Sequence, residues 1–106
     1  MLEKKTCIPC QGGIPPLEEN EINKLMQNLK DGWVVEDNKK LKKEYIFDQY
    51  MDAIKFTNQV AELSENEGHH PYIHINFKRV TIILFTHKID GLHENDFIMA
   101  VKCDKI

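Results

Sequence analysis

The sequence predicts an α+β domain in which helices pack on one face of a four-stranded, mostly antiparallel sheet. Three observations predict it. Apolar residues recur at helical spacing in three separate stretches. The β-rich runs between them come in two pairs, each joined by a short turn. A helix-period stretch separates the two pairs, so the order is αββαββα, a layout of hairpins and helices rather than of parallel crossovers.

Each element follows from local chemistry. Pro15-Pro16 sets up a helix start, and Glu18, Glu19 and Glu21 crowd the first turns, where carboxylates favour the positive end of the dipole. Ile22, Leu25, Met26 and Leu29 form its apolar stripe, and Asp31-Gly32 ends it. Trp33-Val34-Val35 opens a strand. Asp37-Asn38-Lys39 reads as a turn, and residues 41–47 return as a second strand. Asp48 is the expected N-cap of the central helix. On that helix Ala53, Phe56, Val60 and Leu63 share a face, and Gly68 is its expected C-terminal glycine.

Residues 72–77 alternate, with Ile73, Ile75 and Phe77 on one face and His74 and Asn76 on the other. Lys78-Arg79 reads as a tight turn, and residues 80–87 as the fourth strand. Asp90-Gly91 breaks it. Leu92 leads into the last helix, with Phe97, Ile98 and Val101 inward. Residues 1–106 thus read as one domain, with 1–16 as a turn-rich N-terminal arm.

Composition narrows the function. The chain is 42% hydrophobic and 29% charged, as in ordinary globular proteins. A formal charge of -3 argues against binding nucleic acid by phosphate neutralisation. Lys39, Lys40, Lys42 and Lys43 straddle the first hairpin and read as a solvated sheet edge. No run approaches the ~20 apolar residues of a membrane span, and the first residues lack a signal-like apolar core. A cytoplasmic location is the expectation. Cys7, Cys10 and Cys103 are an odd count, which argues against a disulfide framework. Cys7-x-x-Cys10 reads mainly as structural, with half a zinc site or a redox pair as the rival readings.

The chemistry gathers around His69-His70-Pro71. Proline fixes its own φ and pushes His70 toward an extended backbone, so the pair is positioned. Glu65 lies on the last turn of the central helix, and His87 at the exit of the fourth strand. In an antiparallel hairpin the entrance of one strand and the exit of the next lie together. Glu65, His69, His70 and His87 therefore converge, and Asp96 in the first turn of the last helix comes to the same end. Singly, each reads as a solvated helix residue, a chain corner or a helix-start carboxylate. Together they read as an acid–base site, because imidazole titrates near neutral pH. Neighbouring histidines in an extended segment point to opposite faces, so His69 and His70 are not expected to chelate one ion; no metal is predicted.

The stretch Glu65-x-x-x-His69-His70-Pro71, followed by His87, Gly91-Leu92 and Asp96, resembles the pterin-4a-carbinolamine dehydratase family. Cys7-x-x-Cys10-x-Gly12-Gly13-x-Pro15-Pro16-Leu17 is similar to a segment of its bacterial, plant and protist members. The resemblance covers nearly the whole chain and implies the same αββαββα fold. It implies dehydration of 4a-hydroxytetrahydropterin to quinonoid dihydropterin, which recycles tetrahydrobiopterin after aromatic amino-acid hydroxylation. It implies no cofactor, a homodimer or homotetramer, and an aromatic amino-acid hydroxylase as a partner that supplies substrate.

By the same resemblance His69 and His87 flank the reacting carbon, and His70 orients the substrate or shares the proton work. Glu65, Gly68, Pro71, Phe85, Thr86 and Lys88 are the implied substrate-binding residues, and Asp96 orients His87. Several positions depart from animal members. Gly68 replaces an aspartate, Ile73 a tryptophan and Asn95 an arginine, and His93 stands where Ser or Thr usually caps the helix. The rival readings are a dimerisation cofactor or interaction scaffold, and a pterin-binding protein of molybdenum cofactor or folate metabolism.

Overall fold

The computed structural model describes residues 2–8 and 12–106. In chain order the elements are α1 (Glu19–Met26), β1 (Val34–Glu36), β2 (Lys40–Ile46), α2 (Tyr50–Glu67), β3 (Tyr72–Asn76), β4 (Arg79–Leu84) and α3 (Glu94–Asp104). The strands form one sheet in the order β1-β2-β4-β3, and each neighbouring pair is antiparallel. The expected α+β fold is therefore the observed one.

Several boundaries differ, each for a local reason. β4 stops at Leu84 rather than reaching His87. Its partners run out there: Leu84 pairs with Leu41 near the start of β2, and Ile83 with Tyr72, the first residue of β3. Beyond this point Thr86 bridges to Gly91, and His87–Ile89 form a short 3-10 turn. At the start of α2 the N-cap is Gln49, in an extended conformation, and not Asp48. The turn between β3 and β4 falls on Phe77, which adopts a left-handed φ of 56°, one residue earlier than expected. Asp37 and Asn38 both take left-handed conformations, as the β1–β2 turn requires.

The core lies between the sheet and the helices. Leu41, Val80, Ile82 and Leu84 rise from β2 and β4, and Ala53, Phe56 and Val60 descend from α2. Burying such side chains is worth about 25 cal/mol per Å² of apolar area removed from water. The most enclosed element is α3. Every residue from Asn95 to Val101 is buried, because α1, α2, the N-terminal 3-10 turn and the sheet all pack against it. Met99 is fully buried, whereas Ile46 and Met51 are exposed. The expected apolar face of β3 is only partly covered. Ile73 packs on the core, but Ile75 and Phe77 are exposed, since β3 is an edge strand.

Lys43 departs from the expected solvated edge. β2 is paired on both sides, and Lys43 turns inward to Asp104 at the end of α3, with Nζ 2.7 Å from Oδ1. The same carboxylate accepts from Tyr45 Oη at 2.6 Å and from Trp33 Nε1 at 2.9 Å. Burial and this hydrogen bond to Asp104 push the Tyr45 phenol well above its ordinary range.

Candidate functional site

The site is built where α2 ends, β3 begins, β4 ends and α3 begins. Gly68 ends α2 with a left-handed φ of 68°, and both it and His69 donate their N–H to the Ser64 carbonyl. This glycine reverses the chain so that His69 and His70 follow the helix directly. Thr86 and Gly91 close the loop that carries His87, with Thr86 N–H donating to Gly91 O at 2.8 Å. Gly91 is required by close approach: a Cβ there would lie 2.6 Å from Cβ of Pro16.

These segments surround an open cavity of ≈ 370 Å³. His69, His70 and His87 all line it, as do Gly68, Phe85 and Lys88. Thr86 is also on its wall. Glu65 and Pro71 are not on the wall. Glu65 sits on the exposed end of α2, where Oε1 lies 3.3 Å from His70 Nε2, a contact largely in solvent. His87 packs against aromatic rings, with centroids 4.1 Å from Phe85 and 5.6 Å from Tyr72.

Asp96 corrects the sequence reading. Its carboxylate reaches His69, not His87, with Oδ1 2.6 Å from His69 Nε2. Oδ2 accepts from Thr86 Oγ1 at 2.9 Å and from the His93 N–H at 3.0 Å. The carboxylate is fully buried, and these three partners satisfy it. An ionised carboxylate only accepts, so His69 presents its proton at Nε2, and in the neutral ring Nδ1 keeps the lone pair. His93 is a better cap than its residue type suggests. Its Nδ1 accepts from the Asn95 N–H at 3.0 Å, and Asp96 returns a bond to the His93 N–H, which completes a capping box.

Ile8 and Asn95 also line the cavity, and sequence reasoning missed both. Asn95 carries one signal that could have found it, its place beside Asp96 in the first turn of α3. Ile8 carries none. Next to it, Cys7 donates its N–H to Glu67 Oε1 at 2.8 Å and its thiol to Asn95 O. Burial pushes the Cys7 thiol up to about 12, with Glu67 adding to the effect. A thiol held protonated in this way is not poised as a nucleophile. Cys10, its partner in the CxxC pair, lies outside the described residues. Among the described residues, no three His, Cys, Asp or Glu side chains gather as a metal site would need. No helix among them is long and apolar enough to cross a membrane.

Burial raises the Glu67 carboxyl, but the Lys102 ammonium, 2.7 Å away, and the Cys7 N–H more than offset this, leaving it below its ordinary value of 4.5. A depressed carboxyl stabilises the fold above its unfolded value and loses that contribution as pH falls through the native value. Protection of the Cys7 amide against hydrogen exchange should therefore hold from pH 7 to 5 and fail only below 4.5. Loss of protection between pH 7 and 5 would contradict this account.

Fold and cavity together define an α+β domain with an imidazole-lined pocket, one of whose histidines is held by a buried carboxylate. Residues 15–106 match the family model described as pterin 4 alpha carbinolamine dehydratase. The chain belongs to that family. A Rickettsia bellii relative, provisionally named a pterin-4-alpha-carbinolamine dehydratase, is 48% identical over 103 residues, which cover 97% of this chain and 91% of that one. A Rubrobacter xylanophilus relative of the same provisional name is 44% identical, covering 99% and 97%. The crystal structure of a transcriptional coactivator/pterin dehydratase from Brucella melitensis superposes with a TM-score of 0.79 at 32% identity, covering 85% of this chain and 96% of that one. A pterin dehydratase-like RuBisCO assembly factor of the alpha-carboxysome gives 0.61 at 26% identity, covering 70% and 87%.

Proposed function

We propose that this protein dehydrates a 4a-hydroxytetrahydropterin to the quinonoid dihydropterin and water, as a step in tetrahydropterin recycling. The observation that carries the proposal is the meeting of His69, His70 and His87 around one cavity, with His69 held by buried Asp96.

The reaction needs two proton transfers. The bond from C4a to the hydroxyl oxygen breaks, and that oxygen gains a proton to leave as water. N5 loses its proton, and its electron pair forms the new double bond to C4a. Groups that titrate near neutral pH suit both steps. His69 is the better base. With Nε2–H on Asp96, its Nδ1 can take a proton, and the imidazolium so formed is stabilised by the carboxylate. His87 is then the acid, bearing on the hydroxyl from a wall shared with Phe85. His70, tied to Glu65 on the solvent side, orients the ring, and Gly68, Thr86 and Lys88 complete the substrate wall. Relatives described as dehydratases support this reading.

The test is dehydration of carbinolamine generated in situ. His69→Ala and His87→Ala should each lower kcat by about 10²-fold or more. Unchanged rates in both variants would overturn the assignment. Absence of wild-type activity would favour an interaction role such as the descriptions of the two solved relatives suggest.

A further inference from the structure

We propose that Asn95 is a positioning residue: its side-chain amide ties the N-terminal arm against the cavity, so that Ile8 becomes part of the wall that holds the substrate ring. The identity of that ring rests on the dehydratase reading above.

Asn95 is 2% exposed, yet its amide is spent on a segment 87 residues away. Its Oδ1 accepts the Ile8 N–H at 3.1 Å, and its Nδ2 donates to the Ile8 carbonyl at 2.6 Å. One side chain thus supplies the paired donor and acceptor that a neighbouring strand would offer. The adjoining Cys7 N–H is taken by Glu67, itself fixed by Lys102. The arm is therefore held by the last residue of α2 and the first turn of α3. Those elements also set His69 and Asp96, so the anchor and the acid–base pair share one frame.

The side chain of Ile8 behaves differently from its main chain. Residue 8 is 61% exposed while its backbone is clamped, and it lines the same cavity as the three histidines. An apolar group fixed over an open pocket gains by being covered. A flat heterocycle in the cavity would cover it. Releasing the main chain would cost that contact without touching a proton-transfer group.

The test compares the full-length wild type with Asn95→Ala and Ile8→Gly, reading amide exchange at Cys7 and Ile8 together with kcat and KM. For Asn95→Ala, exchange at both amides should rise about tenfold or more, because their opening no longer needs the amide clamp to break. KM should rise about fivefold, the scale of a lost hydrogen bond or apolar contact, with kcat within about twofold of wild type. Ile8→Gly should raise KM by a similar factor while exchange at Cys7 stays slow. Unchanged exchange in Asn95→Ala, or unchanged KM in both variants, would overturn the proposal. Should Asn95→Ala lose its fold, Ile8→Gly decides alone, because that side chain lies outside the core. A wild type without turnover sinks the dehydratase reading instead. The arm is then judged by binding of 7,8-dihydrobiopterin, which both variants must weaken by the same factor.

Discussion

Asp96→Asn is expected to lower kcat about 10³-fold with little change in fold, because it reverses the tautomer of the imidazole proposed above as the base. The introduced amide has the shape of the carboxylate but only one accepting oxygen. Thr86 Oγ1 and the His93 N–H both donate to Oδ2, and together they will claim that oxygen. The NH₂ then faces His69 Nε2, which must accept instead of donate. The proton moves to Nδ1, the nitrogen the proposed base needs free. Kinetics on in situ carbinolamine, run beside a thermal melt, check this. A variant within a few-fold of wild-type kcat would show that the Asp96–His69 pair does not govern the chemistry.

The second large effect concerns stability. Asp104→Ala should destabilise the fold by about 3 kcal/mol, the scale for breaking a buried ion pair on one side. For a domain near 100 residues this lowers Tm by roughly 15 °C. The Asp104 side chain is only 4% exposed and serves Lys43, Tyr45 and Trp33 at once. Its removal leaves the Lys43 ammonium, 15% exposed, without its carboxylate in the same pocket. A carboxylate at the C-terminal end of a helix is also opposed by the helix dipole, so its partners must supply the compensation. A melt within about 3 °C of wild type would mean that solvent rescues Lys43 and that the cluster adds little.

Much of the site is legible in the amino-acid sequence. His69, His70 and His87 are expected to converge because hairpin topology brings a strand entrance beside the next strand's exit, and all three line the cavity. The partner of Asp96 is not legible. It is expected on His87 and lies on His69, a choice set by how α3 docks on the end of α2. Glu65 follows the same logic: its place on the last turn is readable, but its exposed position off the cavity wall is not. Ile8 is invisible because nothing in its neighbourhood in sequence marks it. Its partners are Asn95 and, through Cys7, Glu67, both at least 60 residues away from the residues they hold.

Local chemistry alone determined the elements and their order. Helical and alternating periodicities, Gly68 as a left-handed stop, and the turn at Asp37 and Asn38 are short-range properties of the chain. Hairpin connectivity then placed the histidines at one rim. Tertiary packing decided what short-range signals do not encode. It buried α3 from Asn95 to Val101, turned Lys43 from a surface charge into the partner of Asp104, and set Ile8 on the cavity wall. The physical reason is that periodicity reports which face of one element is apolar. It carries no information about which distant donor will meet which buried acceptor once the layers close.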